Sequence, residues 1–393
     1  MNSGHGALAR LVGDERAFLR HDLGRRPRTF SNADADGFAD LLSLDDVDHL
    51  VASTALRAPA FRLVRDGAMI PASRVTRTAR VGSRPIADLV DVAAVHREFG
   101  DGATVVLQGL HRNWQPVATL CRSLEASLTH HVQANAYLTP PVAQGLHLHG
   151  DPHDVFAVQT FGVKRWVVEP PDQERWELEL RPGDVLYLPA GTRHAAQTTD
   201  QPSLHLTIGL RTTTWRDLVE RAMSQAVASM TIDGGDEALP AGWAHEPHTV
   251  TERLRCHLDA AAFSILGNDT IAELTANEVA ERFWSRRPAH LAGGLRDLLE
   301  VVDLGDTTRM CVRPDASCRL RLAGEQMTLM FGDRCLTMPA SLEPVVRRLL
   351  DVESFTPREL DDLIDESSRL VLCRRLVREG LLTIERRVMS DVG

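Results

Sequence analysis

The sequence predicts an α+β chain built on a β-barrel, with a helical region behind it and a C-terminal unit in winged-helix order. Three observations carry that expectation. His147, His149, Asp151 and His153 alternate along one stretch, the spacing at which extended side chains share a face. Arg181-Pro-Gly-Asp-Val-Leu-Tyr-Leu-Pro-Ala-Gly-Thr-Arg-His194 then reads as a tight turn, a short apolar strand, a Pro/Gly corner and a histidine. From Trp215 the apolar period becomes helical, and after about residue 300 short strands return, with two helices and a last strand behind them. The expected segments are 1–214 for the barrel with its N-terminal wrapping, 215–300 for the helices and 301–393 for the last unit.

Taken in order, Gly6 to Val12 and Glu15 to His21 are amphipathic helical patterns. Leu41 to Val51 reads as a helix capped at Ser43, and Phe61 to Gly67 as strand then turn. Gly102 to Gln108 is a buried strand. Pro116 to Leu128 is a helix whose stripe is Val117, Leu120, Leu124 and Leu128. His130 and His131 follow it; adjacent residues of a strand face opposite sides, so they make a poor pair for one ion. Val132 to Leu138 is the next strand, with Asn135 and Tyr137 on one face. Phe156 to Phe161 and Lys164 to Val168 read as a hairpin around Gly162-Val163, with Lys164 and Trp166 on one face. Leu204 to Leu210 is a strand on which His205 and Thr207 share a side.

Behind the barrel, helices are expected over Trp215 to Met230, Val250 to Phe263 and Thr270 to Trp284, with a loop at Asp233-Gly-Gly-Asp-Glu. Strands follow at Thr308 to Val312, Arg319 to Leu322 and Met327 to Phe331. Thr356-Pro-Arg-Glu359 is a helix start with a capping box, and a second helix runs from Leu370 to Arg378 and stops at Gly380. Leu381 to Glu385 closes the order. Arg369, Arg374, Arg375 and Arg378 could touch phosphates, but Asp361, Asp362, Asp365, Glu366 and Glu379 offset them.

Two imidazoles and a carboxylate from two barrel strands form the facial triad of non-haem Fe(II) oxygenases. His194 supplies one ligand; alternation alone does not choose among His147, His149, Asp151 and His153, since all four would share a face.

Asn135-Ala-Tyr137, His149-Gly-Asp151-Pro-His-Asp-Val-Phe-Ala-Val-Gln159, Gly162-Val-Lys-Arg-Trp166, Pro182-Gly-Asp-Val-Leu-Tyr-Leu-Pro189 and Gly191-Thr-Arg-His194 resemble the JmjC-type cupins of the ribosomal oxygenase group. Phe18-Leu-Arg-His-Asp-Leu-Gly-Arg-Arg-Pro27 resembles their N-terminal signature. The resemblance implies a double-stranded β-helix, a helical dimerisation region giving a homodimer, and a winged-helix end. It also implies a protein hydroxylase using Fe(II), 2-oxoglutarate and O2, with His149, Asp151 and His194 as metal ligands. Lys164 would hold the far carboxylate of 2-oxoglutarate, with Tyr137 and Asn135 beside it. His205 and Thr207 are expected to support the metal and co-substrate rather than bind the ion. Gly150 stands where the family has an aromatic residue, which implies a roomier pocket beside the metal.

Composition bears on the same reading. Of 44 basic residues, Lys164 is the one lysine. In a chain that otherwise uses arginine for positive charge, a compact ammonium kept at that place points to a pocket too narrow for a guanidinium. A net charge of -10 argues against a general nucleic-acid binder and suits a basic or polar polypeptide substrate. No apolar run is long enough to cross a bilayer, and no basic-then-apolar leader pattern opens the sequence. The six cysteines form no Cys-x-x-Cys pair, as in a reducing cytoplasm. Two other readings share these features: a hydroxylase of a small molecule or peptide natural product, and a metal-binding cupin regulator that uses the wing on DNA.

Overall fold

The computed structural model describes residues 6–385 apart from 32, 144, 172–173, 230–236, 268–269, 286, 288–290, 314–315 and 317. The expected Asp233 loop therefore lies mainly outside the described residues. Two compact units interleave along the chain. One comprises Met1–Thr212, His290–Ser317 and Val352–Gly393; the other comprises Thr213–Ala289 and Cys318–Asp351. The segment expected as one domain, 301–393, is thus shared between them.

In the first unit, two sheets make the barrel. Among the described residues the larger has eight strands, in the order Arg28–Phe30, Val185–Leu188, Asp154–Gly162, Ser203–Arg211, His131–Thr139, Thr104–Leu107, Phe61–Arg65 and Ala68–Met69. The smaller has four, in the order Trp176–Leu180, Lys164–Glu169, Arg193–Gln197 and His149–Gly150. Strand alternation decides what fills each side. Val155, Ala157, Leu186 and Leu188 of the large sheet meet Trp166, Val168 and Leu180 of the small one. Phe156, Val158, Leu206 and Ile208 turn the other way, into a larger core with the helix residues Leu8, Leu11, Val117 and Leu124. Burial on both faces explains why Asp154 to Val158 reads as an almost continuous apolar run.

The N-terminal signature is a clamp on this sheet. Phe18 packs against Tyr187 and Phe156, with ring centroids 4.9 and 5.5 Å apart. Asp22, fully buried, accepts from Arg26 and Arg28 at 2.7 and 2.6 Å. Arg28–Phe30 then pairs antiparallel with Val185–Tyr187.

One expectation is corrected. Phe156–Phe161 and Lys164–Val168 are not a hairpin: the first strand pairs with Val185–Leu188 and Ser203–Arg211, the second with Trp176–Leu180 and Arg193–Gln197. The chain changes sheet at Gly162, where φ is +64° and a Cβ would lie 1.9 Å from the Pro202 carbonyl oxygen. Only glycine fits a left-handed turn pressed that closely against backbone. This crossing sends Lys164 to the wall opposite the strand it follows. Sequence patterning also missed the hairpin Thr76–Val81/Arg84–Val90 and the helix Val92–Gly100.

The same unit holds the helix Glu366–Glu379, capped by Asp365 and ended at Gly380 with φ +86°, and the strand pair Met310–Val312/Leu382–Ile384. The Thr356 start forms a short 3-10 turn, Pro357–Leu360, with Glu359 accepting from the Thr356 hydroxyl at 3.1 Å. In the second unit, helices Trp215–Ser229, Thr251–Leu266 and Thr270–Ser285 accompany the three-stranded sheet Cys318–Ala323/Gln326–Phe331/Arg334–Pro339. Arg221 pairs with Glu278, and Thr275 donates to Gln225 at 2.7 Å. No described helix is long and apolar enough to cross a membrane.

Candidate active site and metal centre

The short strand His149–Gly150 pairs antiparallel with Arg193–Gln197, so that His149 lies directly opposite His194. Their rings are 4.5 Å apart, and Asp151 Oδ2 lies 3.6 Å from His194 Nε2. One ligand atom from each of the three residues falls within 4.8 Å of the others. Among the described residues this is the group of three or more His, Cys, Asp or Glu side chains able to share an ion. His149 Nδ1 is 2.7 Å from the His147 carbonyl, and His194 Nδ1 is 3.0 Å from the Thr192 carbonyl. A carbonyl only accepts, so both Nδ1 atoms carry the proton and both Nε2 lone pairs are free to ligate. Burial lowers the His194 pKa, which favours the neutral imidazole a metal requires.

The rival histidines go elsewhere. His147 packs on Gly67, where a Cβ would come within 2.1 Å of its ring. His153 lies against Gly209, its Nε2 3.4 Å from Gln133 Nε2. Gly150 is exposed and is not among the residues lining the cavity beside the metal ligands. A Cβ there would sit 3.0 Å from the Gly191 carbonyl oxygen, so glycine lets the ligand strand close on the Gly191 corner. Gly191 N–H donates to the Asp151 carbonyl at 2.7 Å, completing that corner.

A cavity of about 200 Å³ opens beside the three ligands, lined among others by Arg62, Tyr137, Lys164, Trp166, His205 and Thr207. Lys164 is 2 % exposed and donates to Thr139 Oγ1 at 2.7 Å; Thr104 Oγ1 donates on to Thr139 at 3.1 Å. Burial pulls the Lys164 pKa down to about 7. Tyr137 and His205 are opposite one another in register and stack with centroids 5.0 Å apart. Trp166 meets His205 edge-on at 5.4 Å and lies 5.9 Å from His194. Burial, then the Lys164 charge, hold His205 well below the usual histidine range, so it is neutral here. Asn135 accepts the Gly109 N–H at 3.0 Å and is not in the cavity lining. Thr207 is.

Sequence reasoning missed Arg62. Its strand was expected, but nothing distinguishes this arginine from its neighbours until the sheet order places it two strands from Tyr137. Of the four arginines expected on a recognition helix, Arg369 and Arg374 face inward, whereas Arg375 and Arg378 are exposed. Arg369 makes two bonds to Asp306 at 2.6 and 2.7 Å, and Arg374 donates to the Leu304 carbonyl at 2.7 Å.

The donor set fits a divalent metal of the facial-triad class. The cavity fits an acidic co-substrate, because Arg62 Nε, Trp166 Nε1 and His205 Nδ1 are buried in its walls without a hydrogen-bond partner. Fold and site together define a metal-binding double-stranded β-helix of the cupin class. Residues 110–218 match the JmjC domain family model. The chain is 35 % identical over 137 residues to the bifunctional lysine-specific demethylase and histidyl-hydroxylase NO66 of Branchiostoma floridae, a match covering 34 % of this chain and 22 % of that protein. With NO66 of Dictyostelium discoideum it shares 27 % over 275 residues, covering 60 % and 53 %. It thus spans about half or less of the length of these relatives. The Escherichia coli ribosomal oxygenase YcfD has the same fold: TM-score 0.55 at 17 % identity, over 95 % of this chain and 99 % of that one. Its complex with cobalt and 2-oxoglutarate gives TM-score 0.56 at 17 % identity, over 96 % and 99 %. Residues 110–218 are thus similar to JmjC domains, and the fold is that of the ribosomal oxygenase YcfD.

Proposed function

We propose that this chain is an Fe(II)- and 2-oxoglutarate-dependent oxygenase that hydroxylates a side chain of a protein or peptide. The observation that carries the reading is one cavity holding both a His149–Asp151–His194 cluster and a buried ammonium without a carboxylate partner among the described residues. His149, Asp151 and His194 would hold the iron, which supplies oxidative decarboxylation of the 2-oxo acid by O2 coupled to C–H hydroxylation. Lys164 would bind the far carboxylate, oriented by Thr139. Trp166 and His205 exclude water from the wall between that anchor and the metal ligands. Tyr137 stacks on His205 and fixes its plane.

The relatives named as histidyl-hydroxylases, the ribosomal oxygenase fold and the net charge of -10 support a basic or polar polypeptide substrate. Trp215, Val219, Met223 and Val227 form an exposed stripe at i, i+4 spacing, which supports a homodimer through the helical region. The strand–helix order after Met310 supports a winged-helix end serving as scaffold, since Arg369 and Arg374 are engaged internally. Six free cysteines suit a cytoplasmic setting. The test is succinate formation from 2-oxoglutarate, with mass spectrometry of ribosomal proteins and peptides from deletion and wild-type cells for one added oxygen. Turnover without Fe(II), or none with it, would remove this function.

A further inference from the structure

We propose that Arg62 is a second anion contact of the cavity, taking the 2-oxo acid end of the co-substrate while Lys164 takes the far carboxylate. This deepens the co-substrate reading above and rests on it. Arg62 pairs in register with Val106, Val106 with Tyr137, and Tyr137 with His205. Residues in one such row project from the same face of the sheet, so Arg62 reaches over Val106 into the barrel. Its guanidinium is close enough to the Tyr137 hydroxyl, its neighbour in the cavity lining, to act on it electrostatically. Its Nε is buried and has no hydrogen-bond partner.

The strands also say which end of the cavity this is. Lys164 is anchored at Thr139, and Tyr137 lies two residues back on the same face, about 6.6 Å along the strand. On the opposite wall the order is Lys164, Trp166, Val168, and Val168 pairs with His194. Both walls therefore run from Lys164 and Thr139, through Trp166 and Tyr137, toward the metal ligands. Arg62 is on the metal side of Lys164. A 2-oxo diacid presents one carboxylate to each cation, and a guanidinium with an unused N–H offers the planar, directional contact a carboxylate takes. Arg62 stands in the cavity wall and supplies none of the three clustered ligand atoms, so it binds the co-substrate and not the ion.

Mn(II)-loaded protein, titrated calorimetrically without O2, separates the two contacts. The probes are 2-oxoglutarate and 2-oxobutyrate, which lacks the far carboxylate. Wild type should bind 2-oxoglutarate more tightly; failure to bind it would remove the co-substrate reading itself, whatever the variants do. Lys164→Met should erase the preference between the two acids. Arg62→Met should weaken both acids alike, by about ten- to a hundredfold, with Mn(II) affinity and melting temperature kept. Arg62→Lys should recover part of the loss if the protein tolerates no methionine there. Binding of both acids within twofold of wild type in Arg62→Met overturns the proposal. So does a loss confined to 2-oxoglutarate, which would put Arg62 on the far carboxylate.

Discussion

His149 and His194 face each other across one antiparallel register pair, and each fixes its ring by donating Nδ1–H to the carbonyl two residues before it. The shared device leaves two Nε2 atoms converging beside Asp151. Alanine at His149, Asp151 or His194 should lower Fe(II) or Mn(II) affinity by at least about tenfold, judged against the effect of disturbing even residues behind the ligands. Alanine at His147 or His153 should leave one metal per chain. Metal analysis after dialysis decides: full occupancy in His149→Ala with loss in His147→Ala would reverse the ligand register.

The proposed role of Lys164 predicts that co-substrate binding depends on pH. Facing it are Thr139, the neutral His205 and, further along the cavity, Arg62 and Tyr137; Asp151 is the one carboxylate among the described lining residues. Burial has lowered its pKa to about 7, and a bound carboxylate would raise it again. Below about pH 7 the ammonium is present before binding, and affinity is at its highest. As pH rises above 7 the free protein loses the proton that the complex needs, so affinity falls, by up to tenfold per pH unit. Calorimetry at pH 8 in buffers of different ionisation enthalpy should show proton uptake on binding, absent in Lys164→Met. Uptake unchanged in that variant would sink the assignment.

Lys164→Arg tests the fit. A harmless change would mean the ammonium occupies open space. The closed pocket predicts a rise in the 2-oxoglutarate requirement of about tenfold or more, because a guanidinium is wider and Lys164 is 2 % exposed.

Much of the site was legible because its chemistry is local. His149-Gly-Asp151, the Pro182-Gly-Asp strand before His194 and the isolated Lys164 each carry a short spacing that a barrel brings together. The path of the chain was less legible. Gly162-Val163 looks like any tight turn, and the choice of partner strand is made by the Pro202 backbone pressed on Gly162, forty residues away. Thr76–Val90 escaped because an exposed two-stranded ribbon rich in arginine has no buried face to create a pattern. Arg62 escaped because its place in the cavity wall depends on sheet order rather than on any neighbour in sequence.

The clamp formed by the N-terminal signature is a stability element. Tyr187 donates to Asp154 and accepts the Gly24 N–H at 2.7 Å, while Asp154 also accepts the Ala190 N–H at 2.9 Å. Tyr187→Phe should cost about 1–3 kcal/mol by leaving buried polar groups unpaired. Phe18→Ala should cost about 3–5 kcal/mol, since its ring is fully buried against Tyr187 and Phe156. Urea denaturation midpoints check both, and a Phe18→Ala midpoint equal to wild type would detach the signature from the barrel's stability.

The most direct measurement of the central claim is succinate release by Fe(II)-loaded protein supplied with 2-oxoglutarate and O2, in wild type and in His194→Ala. Wild type should form succinate only with all three present, faster when the polypeptide substrate is added, and His194→Ala should form none above background. Equal succinate from the two proteins, or none from wild type under any of these conditions, would contradict the account.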